Sequence, residues 1–182
     1  MKVINTIQEL KAALKAHRLK DQSIGFVPTM GALHPGHISL IDRARAENEV
    51  VVCSIFVNPT QFNDSSDYSN YPSTIEPDLE LARSEGVDVV FLPEVKNVYG
   101  DSAHAETSDY GSLTRVFEGE KRTGHFDGVV TVVRRLFNIV QPQMAFFGEK
   151  DLQQLAVIRH LARLEFPSIR IVGCPLIRDA DG

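Results

Sequence analysis

The amino-acid sequence predicts an α/β domain built on a doubly wound, mostly parallel sheet with helices on both faces. Short apolar runs alternate with amphipathic segments, and one run, VVVCSIFV at residues 50–57, is apolar almost throughout. Such alternation is typical of βαβ units, and a strand that is apolar on both faces is expected inside a parallel sheet. The chain has 182 residues, of which 43% are hydrophobic, which is enough for one compact core. We therefore predict a single domain over residues 1–182.

Five segments are predicted as strands because each is short, apolar and rich in β-branched or aromatic residues. In chain order they cover residues 24–27, 50–57, 88–92, 144–147 and 169–172. A polar stretch between the third and fourth strands, residues 97–119, is predicted to be irregular with short helical pieces.

Five helices are predicted to alternate with these strands, because their apolar residues recur at helical spacing. They cover residues 6–17, 35–47, 76–85, 128–140 and 150–164. Pro35 suits the first turn of the second helix, and Gly86 suits the end of the third. The fourth segment, GVVTVVRRLFNIV, favours a strand by its β-branched residues, whereas Val129, Val133 and Leu136 follow a helical period. We predict a helix there.

Charge and composition exclude several classes of function. The net charge is −5 and the pI is about 5.7, so general nucleic-acid binding is not expected. With no run of about 18 apolar residues and a charged, amphipathic start, we expect a cytoplasmic protein without a membrane span or signal peptide. Cys53 and Cys174 lie in apolar runs and are predicted to be reduced core residues. The acidic residues Glu76, Asp78 and Glu80 are predicted to form a solvated helix face.

Polar or turn-forming segments follow four of the predicted strands. They are residues 28–37 (PTMGALHPGH), 58–62 (NPTQF), 148–154 (GEKDLQQ) and 175–182. The carboxyl ends of parallel strands meet at one edge of a sheet, and in Rossmann-like sheets the ligand lies beyond that edge. These four segments therefore predict the position of a ligand site.

Two histidines mark the start of the second helix, within residues 28–37. His34 falls at the N-cap position and His37 in the first turn, beside free backbone N–H groups at the positive end of the helix dipole. Gly31 and Gly36 let a ligand approach the backbone. The segment has no P-loop, GxGxxG, GxSxG or zinc-ligand spacing. It predicts either an anion site, in which a neutral imidazole donates to phosphate, or only a cap and a surface residue.

The other strand ends offer a cation and neutral amides. Lys150 can reach a phosphate, Asp151 can cap a helix or accept from a ribose hydroxyl, and Gln154 lies one turn further on. Alternatively, these residues form a solvated helix start.

Asn58 and Gln61 can bind a small polar substrate without adding charge, or they can simply form a turn. Residues 120–128 (EKRTGHFDG) are predicted to be a glycine-bearing loop, which either closes over phosphates or is an ordinary basic loop.

The string HPGH resembles the HxGH signature of nucleotidyltransferases and class I aminoacyl-tRNA synthetases. Four longer strings, FVPTMGALHPGH, SIFVNPTQF, FFGEKDLQQL and RTGHFDGVVTVVRRLFNIVQP, closely resemble the pantothenate synthetase (pantoate–β-alanine ligase) family. The likeness extends from the first predicted strand to the last residue. It implies an ATP-dependent acid–amine ligase that condenses pantoate with β-alanine through a pantoyl adenylate, releasing AMP and pyrophosphate. It also implies that Mg²⁺ accompanies ATP.

The resemblance also implies roles for individual residues. His37 is the implied proton donor, and His34 and Lys150 act on the phosphates as further catalytic groups. The implied ATP-binding residues are Met30, Gly31, Ala32, Leu33, His34, Pro35, Gly36, His37, Gly148, Glu149, Lys150, Asp151 and Ile177.

Pantoate is expected to bind to Gln61, Gln154 and Met30, and β-alanine to Gln61. Arg122 matches a loop arginine near the substrate site. The sequence identifies no metal ligands.

Members of this family continue beyond the matched region with a Ser-Ser-Arg segment and a smaller C-terminal lid domain, and they form homodimers. Because the sequence ends at Gly182, we expect an isolated N-terminal domain with impaired turnover, itself able to dimerise. Two other functions stay open. One is a different HxGH nucleotidyltransferase that acts on a phosphorylated acceptor, and the other is a module that binds nucleotide without catalysis.

Overall fold

The computed structural model describes residues 1–178 and contains a six-stranded sheet in which neighbouring strands pair in parallel. The predicted α/β class and doubly wound sheet are confirmed. The strands are β1 Lys2–Ile4, β2 Ile24–Thr29, β3 Val50–Ile55, β4 Val89–Phe91, β5 Met144–Gly148 and β6 Arg170–Cys174. Residues 179–182, the end of the predicted segment 175–182, lie outside the described part of the chain.

Eight α-helices and three 3-10 turns connect the strands over this described range. The helices are α1 Ile7–Arg18, α2 Pro35–Glu47, α3 Ser65–Ser69, α4 Ile75–Ser84, α5 Val95–Tyr99, α6 Glu118–Lys121, α7 His125–Val140 and α8 Leu152–Glu165. The 3-10 turns are Pro59–Gln61, Gly111–Thr114 and Glu149–Asp151. The helix predicted from residue 150 therefore begins with a tighter turn, which is common at helix ends. Gly86 follows α4 with φ +75°, as expected of a residue that ends a helix.

The strand order β1-β4-β3-β2-β5-β6 places the first long strand at the centre. From β2 the chain winds outward through β3 and β4, and then returns to add β5 and β6 on the other side. The carboxyl ends of β2 and β5 therefore flank the point at which the winding direction reverses, where ligands bind in sheets of this type. The edge strand β1 was not predicted, because three residues are too few to show a period.

Two apolar cores cover the two faces of the sheet, so the prediction of helices on both faces is confirmed. One core includes Leu10 of α1, Phe137 of α7 and Leu161 of α8. The other includes Ile41 of α2 and Ala82 of α4. Alternate residues of each central strand enter opposite cores, which explains why residues 50–57 lack a polar face.

Helix α7 resolves the ambiguous segment in favour of a helix that starts at His125. Most of its residues are buried, including Val129, Val130 and Val133. Burial of a wide apolar face outweighs the small helix-propensity penalty of β-branched residues. The loop predicted at residues 120–128 is limited to the turn at residues 122–124, because α6 extends to Lys121 and α7 begins at His125.

Both cysteines are free and buried, as predicted. Burial raises the pKa of the Cys53 thiol to about 12, so the thiol is unreactive at neutral pH. Among the described helices, none combines the length and the apolar character needed to cross a membrane.

Candidate active site

A cavity of about 380 Å³ opens at the carboxyl edge of the sheet, beside the ends of β2 and β5. Besides Asn58, it brings together ten of the sixteen residues that the family resemblance assigns to the site. These are Met30, His34, Gly36, His37, Gln61, Gly148, Lys150, Asp151, Gln154 and Ile177. Six others do not line it: Gly31, Ala32, Leu33, Pro35, Glu149 and Arg122. Separate strand ends thus meet in one crevice, as parallel topology requires.

The two histidines form a reciprocal cap at the start of α2. His34 is the N-cap residue, and its Nδ1 accepts from the backbone N–H of Gly36 at 3.1 Å. The Nδ1 of His37 accepts from the backbone N–H of His34 at 3.3 Å, and the ring centroids lie 4.1 Å apart. Because both Nδ1 atoms accept, each neutral ring carries its proton on Nε2. The cap and the anion site are therefore compatible, since each Nε2–H remains available to a ligand.

The environment of His37 favours its neutral form. Burial, followed by the neighbouring His34 and Lys150, lowers the pKa of His37 to about 4 from its ordinary 6.5, while the Asp78 carboxylate opposes this shift. At neutral pH His37 is thus a hydrogen-bond donor without charge. A bound phosphate would reverse the balance, because an anion favours the protonated imidazole.

Acidification is expected to destabilise the domain, in part through His37. Because the folded pKa of about 4 lies below the ordinary 6.5, the unfolded chain binds a proton in this window that the folded chain does not. The free energy of unfolding therefore falls as the pH falls through it. Burial lowers the pKa of His125 in the same direction, so part of the effect does not depend on His37.

The variant His37→Gln removes one titrating group, so its Tm should fall less than that of the wild type between about pH 7 and about pH 5. The exposed His104→Gln is the control and should keep the wild-type dependence. An equal loss of Tm in His37→Gln and the wild type would contradict this explanation.

Glu76 and Glu80 are exposed, as predicted for a solvated acidic face, but Asp78 is buried and corrects that prediction. Its carboxylate is only 3% exposed and accepts from the backbone N–H groups of Ala32 at 2.9 Å and Leu33 at 2.7 Å. The hydroxyl of Thr74 also donates to it at 3.2 Å. The helical period places Asp78 on the same face as the buried Ala82. Burial of Asp78 was not predicted, because charged side chains are rarely buried.

The amide of Gln61 is fixed by Asn58, which also lines the cavity. Asn58 is 1% exposed and donates from Nδ2 to Gln61 Oε1 at 3.1 Å. The hydroxyl of Tyr99 donates to Asn58 Oδ1 at 2.6 Å, and burial raises the pKa of this phenol. Gln61 Nε2 lies 3.2 Å from the sulfur of Met30. Its second N–H therefore stays available to a ligand.

His125 supports the same turn from the opposite side. It is 5% exposed, and its Nδ1–H donates to the backbone oxygen of Gln61 at 2.9 Å. Arg122 donates to the His125 Nε2 at 3.3 Å and lies 3.4 Å from Glu118. Arg122 thus contacts the support of Gln61 and does not line the cavity. Neither Tyr99 nor this role of His125 was predicted, because each partner lies more than 35 positions away in the sequence.

Lys150 and Asp151 occupy the 3-10 turn after β5 and are exposed at the cavity. The Asp151 side chain makes no capping hydrogen bond, which leaves its carboxylate open to a ligand hydroxyl. Lys150 is the one lysine or arginine among the described residues that line the cavity. Lys150 is also close enough to His37 to lower the pKa of that imidazole.

Apolar side chains form the remaining wall, and sequence reasoning did not assign them to the site. Val129, Val132, Val133 and Leu136 come from one face of α7, and Phe147 comes from β5. The helical period indicated that this face is buried but not that it borders a cavity. The cavity thus brings together two imidazoles, an ammonium group, neutral amides and an apolar wall.

The fold and the site define an α/β protein with a ligand crevice at the strand-order switch of its sheet. A family model described as pantoate-beta-alanine ligase matches residues 2–182, and the chain belongs to this family. Its relatives include pantothenate synthetases from Phocaeicola vulgatus, 51% identical, and Aquifex aeolicus, 52% identical. These matches cover 100% and 97% of the chain but 64% and 62% of the respective relatives.

Two solved structures have the same fold. Pantothenate synthetase from Thermus thermophilus is 49% identical with a TM-score of 0.92, over 100% of this chain and 64% of that protein. Pantoate-beta-alanine ligase from Francisella tularensis, complexed with beta-gamma ATP and beta-alanine, is 42% identical with a TM-score of 0.94. That match covers 99% of this chain and 69% of that protein. The chain therefore spans about two thirds of the length of these proteins or slightly less.

Proposed function

We propose that this domain binds ATP and pantoate and takes part in the ATP-dependent condensation of pantoate with β-alanine. The observation that carries the proposal is that one cavity gathers two chemically distinct sets of side chains. His34, His37 and Lys150 can hold phosphates, whereas Gln61 and Gln154 offer neutral amides beside an apolar wall. The Francisella ligase of the same fold, complexed with beta-gamma ATP and beta-alanine, supports this choice of ligands.

In the first step, a pantoate carboxylate oxygen attacks the α-phosphorus of ATP, and the bond to the bridging oxygen of pyrophosphate breaks. Negative charge builds up on the phosphates, where the Nε2–H groups of His34 and His37 and the ammonium of Lys150 donate. Donors that are already in place stabilise a developing charge without reorganising. The bound phosphates raise the pKa of His37, so its ring takes up a proton from solvent when ATP binds and can pass that proton to the departing pyrophosphate.

In the second step, the amine of β-alanine attacks the acyl carbon of pantoyl adenylate, and AMP leaves as the amide forms. Gln61 orients both β-alanine and the pantoyl group, because its amide is fixed by Asn58 and its backbone by His125. The dimethyl group of pantoate fits the wall formed by Val129 and Val133. An apolar wall also limits the access of water, which would hydrolyse the mixed anhydride.

The remaining assignments extend this proposal. The residues that the family resemblance assigns to ATP are proposed to bind it, with Ile177 at the adenine. Residues 1–182 are proposed to form a single nucleotide-binding domain. Magnesium is proposed to arrive with ATP. No cluster of three potential protein ligands occurs in the described residues, and Mg²⁺ bound through phosphates needs only one or two carboxylates. Asp151 is the one carboxylate among the described residues that line the cavity, and it is the proposed protein ligand. A cytoplasmic homodimer is the proposed state.

The decisive experiment is exchange of labelled pyrophosphate into ATP by this chain, with and without pantoate. We expect exchange that depends on pantoate, together with calorimetric binding of both ligands. Exchange that requires a phosphorylated acceptor would instead indicate another nucleotidyltransferase. Binding of ATP and pantoate without any exchange would indicate a binding module.

A further inference from the structure

The backbone that leads into the histidine pair has an unusual conformation. Gly31 has φ +84° and Ala32 has φ +50°. A left-handed conformation is common for glycine but unfavourable for alanine, because the Cβ atom crowds the backbone. Strained residues of this kind persist only where the surrounding structure fixes them. The chain must therefore contain a group that holds Ala32 in place.

Asp78 supplies that group from the first turns of α4. Its two carboxylate oxygens bind successive backbone N–H groups, those of Ala32 and Leu33. Consecutive N–H groups that converge in this way form a concavity that binds anions. The carboxylate is buried, so its hydrogen bonds are screened little by solvent.

The carboxylate serves the loop before α2 and does not cap its own helix. The start of α4 has no side-chain cap, and the hydroxyl of Thr74 donates to the Asp78 carboxylate. Asp78 also does not line the cavity, whereas Met30 and His34, on either side of the Ala32–Leu33 pair, do. Its hydrogen bonds therefore reach the site through the loop.

We propose that Asp78 is a positioning residue that holds the Gly31–Leu33 backbone in the conformation that binds ATP. The inference rests on the proposed function, because the ligand of the histidine pair is taken to be ATP. The charge of Asp78 has a second effect on the site. Three groups act electrostatically on His37: Asp78, His34 at the start of α2, and Lys150 in the turn Glu149–Asp151. Of these, only Asp78 favours the protonated form of the His37 ring.

The test is Asp78→Asn, which keeps the shape of the side chain. An asparagine has one acceptor oxygen for two backbone donors, so one N–H is left without a partner. Amide hydrogen exchange at Ala32 and Leu33, followed by NMR, should accelerate. The Kd for ATP should rise about tenfold. Glu80→Gln, an exposed change on the same helix, is the control and should alter neither quantity.

A rescue experiment separates positioning from a general loss of structure. Glycine adopts the conformation of Ala32 without strain, so Ala32→Gly added to Asp78→Asn should restore part of the ATP affinity. Damage confined to α4 would not be rescued in this way. Unchanged ATP affinity in Asp78→Asn would overturn the inference, as would a loss that Ala32→Gly does not reduce.

Two further measurements keep the inference testable in every case. Should Asp78→Asn not fold, Thr74→Val removes one donor to the carboxylate and should speed exchange of the Ala32 amide, and unchanged exchange would overturn the inference. Should the wild type not bind ATP, the proposed function fails. Amide exchange at Ala32 and Leu33 still tests whether Asp78 fixes the Gly31–Leu33 backbone.

Discussion

Replacing His37 by alanine is expected to lower pantoate-dependent pyrophosphate exchange by about 10²- to 10³-fold, the usual effect of removing one donor to a transition-state charge. The Nδ1 of His37 accepts from the backbone of His34, which directs the Nε2–H away from its own helix. Alanine cannot replace this donor. The fold should survive, because the side chain is only partly buried and makes one hydrogen bond to the backbone.

The His37→Ala experiment needs measurements of rate, binding and folding together. Exchange rates at saturating ATP and pantoate report the chemical step, calorimetry reports ATP affinity, and circular dichroism reports the fold. The exposed His104→Ala serves as the matched control and should exchange at the wild-type rate. A His37→Ala variant that is folded and exchanges at the wild-type rate would remove His37 from the mechanism.

Replacing Gly128 by alanine is expected to destabilise the domain by about 1–3 kcal/mol, as overpacking usually does. In an open helix the same change is favourable by about 1 kcal/mol. Here the new Cβ would lie 2.3 Å from the carbonyl oxygen of Thr60 and 2.7 Å from the Cα of Gln61. Both are backbone atoms, so α7 and the turn Pro59–Gln61 must move apart. The steric cost therefore exceeds the propensity gain.

The Gly128→Ala variant should show a Tm about 2–12 °C below the wild type, given about 2–4 °C per kcal/mol for a chain of this size. Because Gln61 moves with its turn, pantoate affinity should fall more than ATP affinity. Asn138→Ala, an exposed change on the same helix, is the control and should change Tm little. A rise in Tm for Gly128→Ala would show that the contact with the turn is loose.

The histidine segment shows how far local rules reach. Pro35 and His34 take the first helical position and the N-cap, as the sequence predicted, because capping depends on neighbours within one turn. The ligand site at the strand ends was likewise predicted, because parallel topology alone brings those ends together. The resemblance of four strings to one family then supplied the chemistry.

Asp78, Tyr99 and His125 show where such reasoning stops. Each acts on the site through a partner between 39 and 64 positions away. No periodicity in the sequence links residues that are so far apart. A charged residue such as Asp78 is also predicted to be exposed, even when it lies on an apolar helical face.

The sequence by itself therefore determined the class of fold, the edge of the sheet where the cavity lies and ten of the residues that line it. These follow from periodicity, capping and short motifs, which act over a few residues. The tertiary structure decided which groups hold the cavity-lining residues in position. Burial of the Asp78 carboxylate, the proton positions on His34 and His37, and the contact of Gly128 with the Gln61 turn depend on segments that only the folded chain brings together.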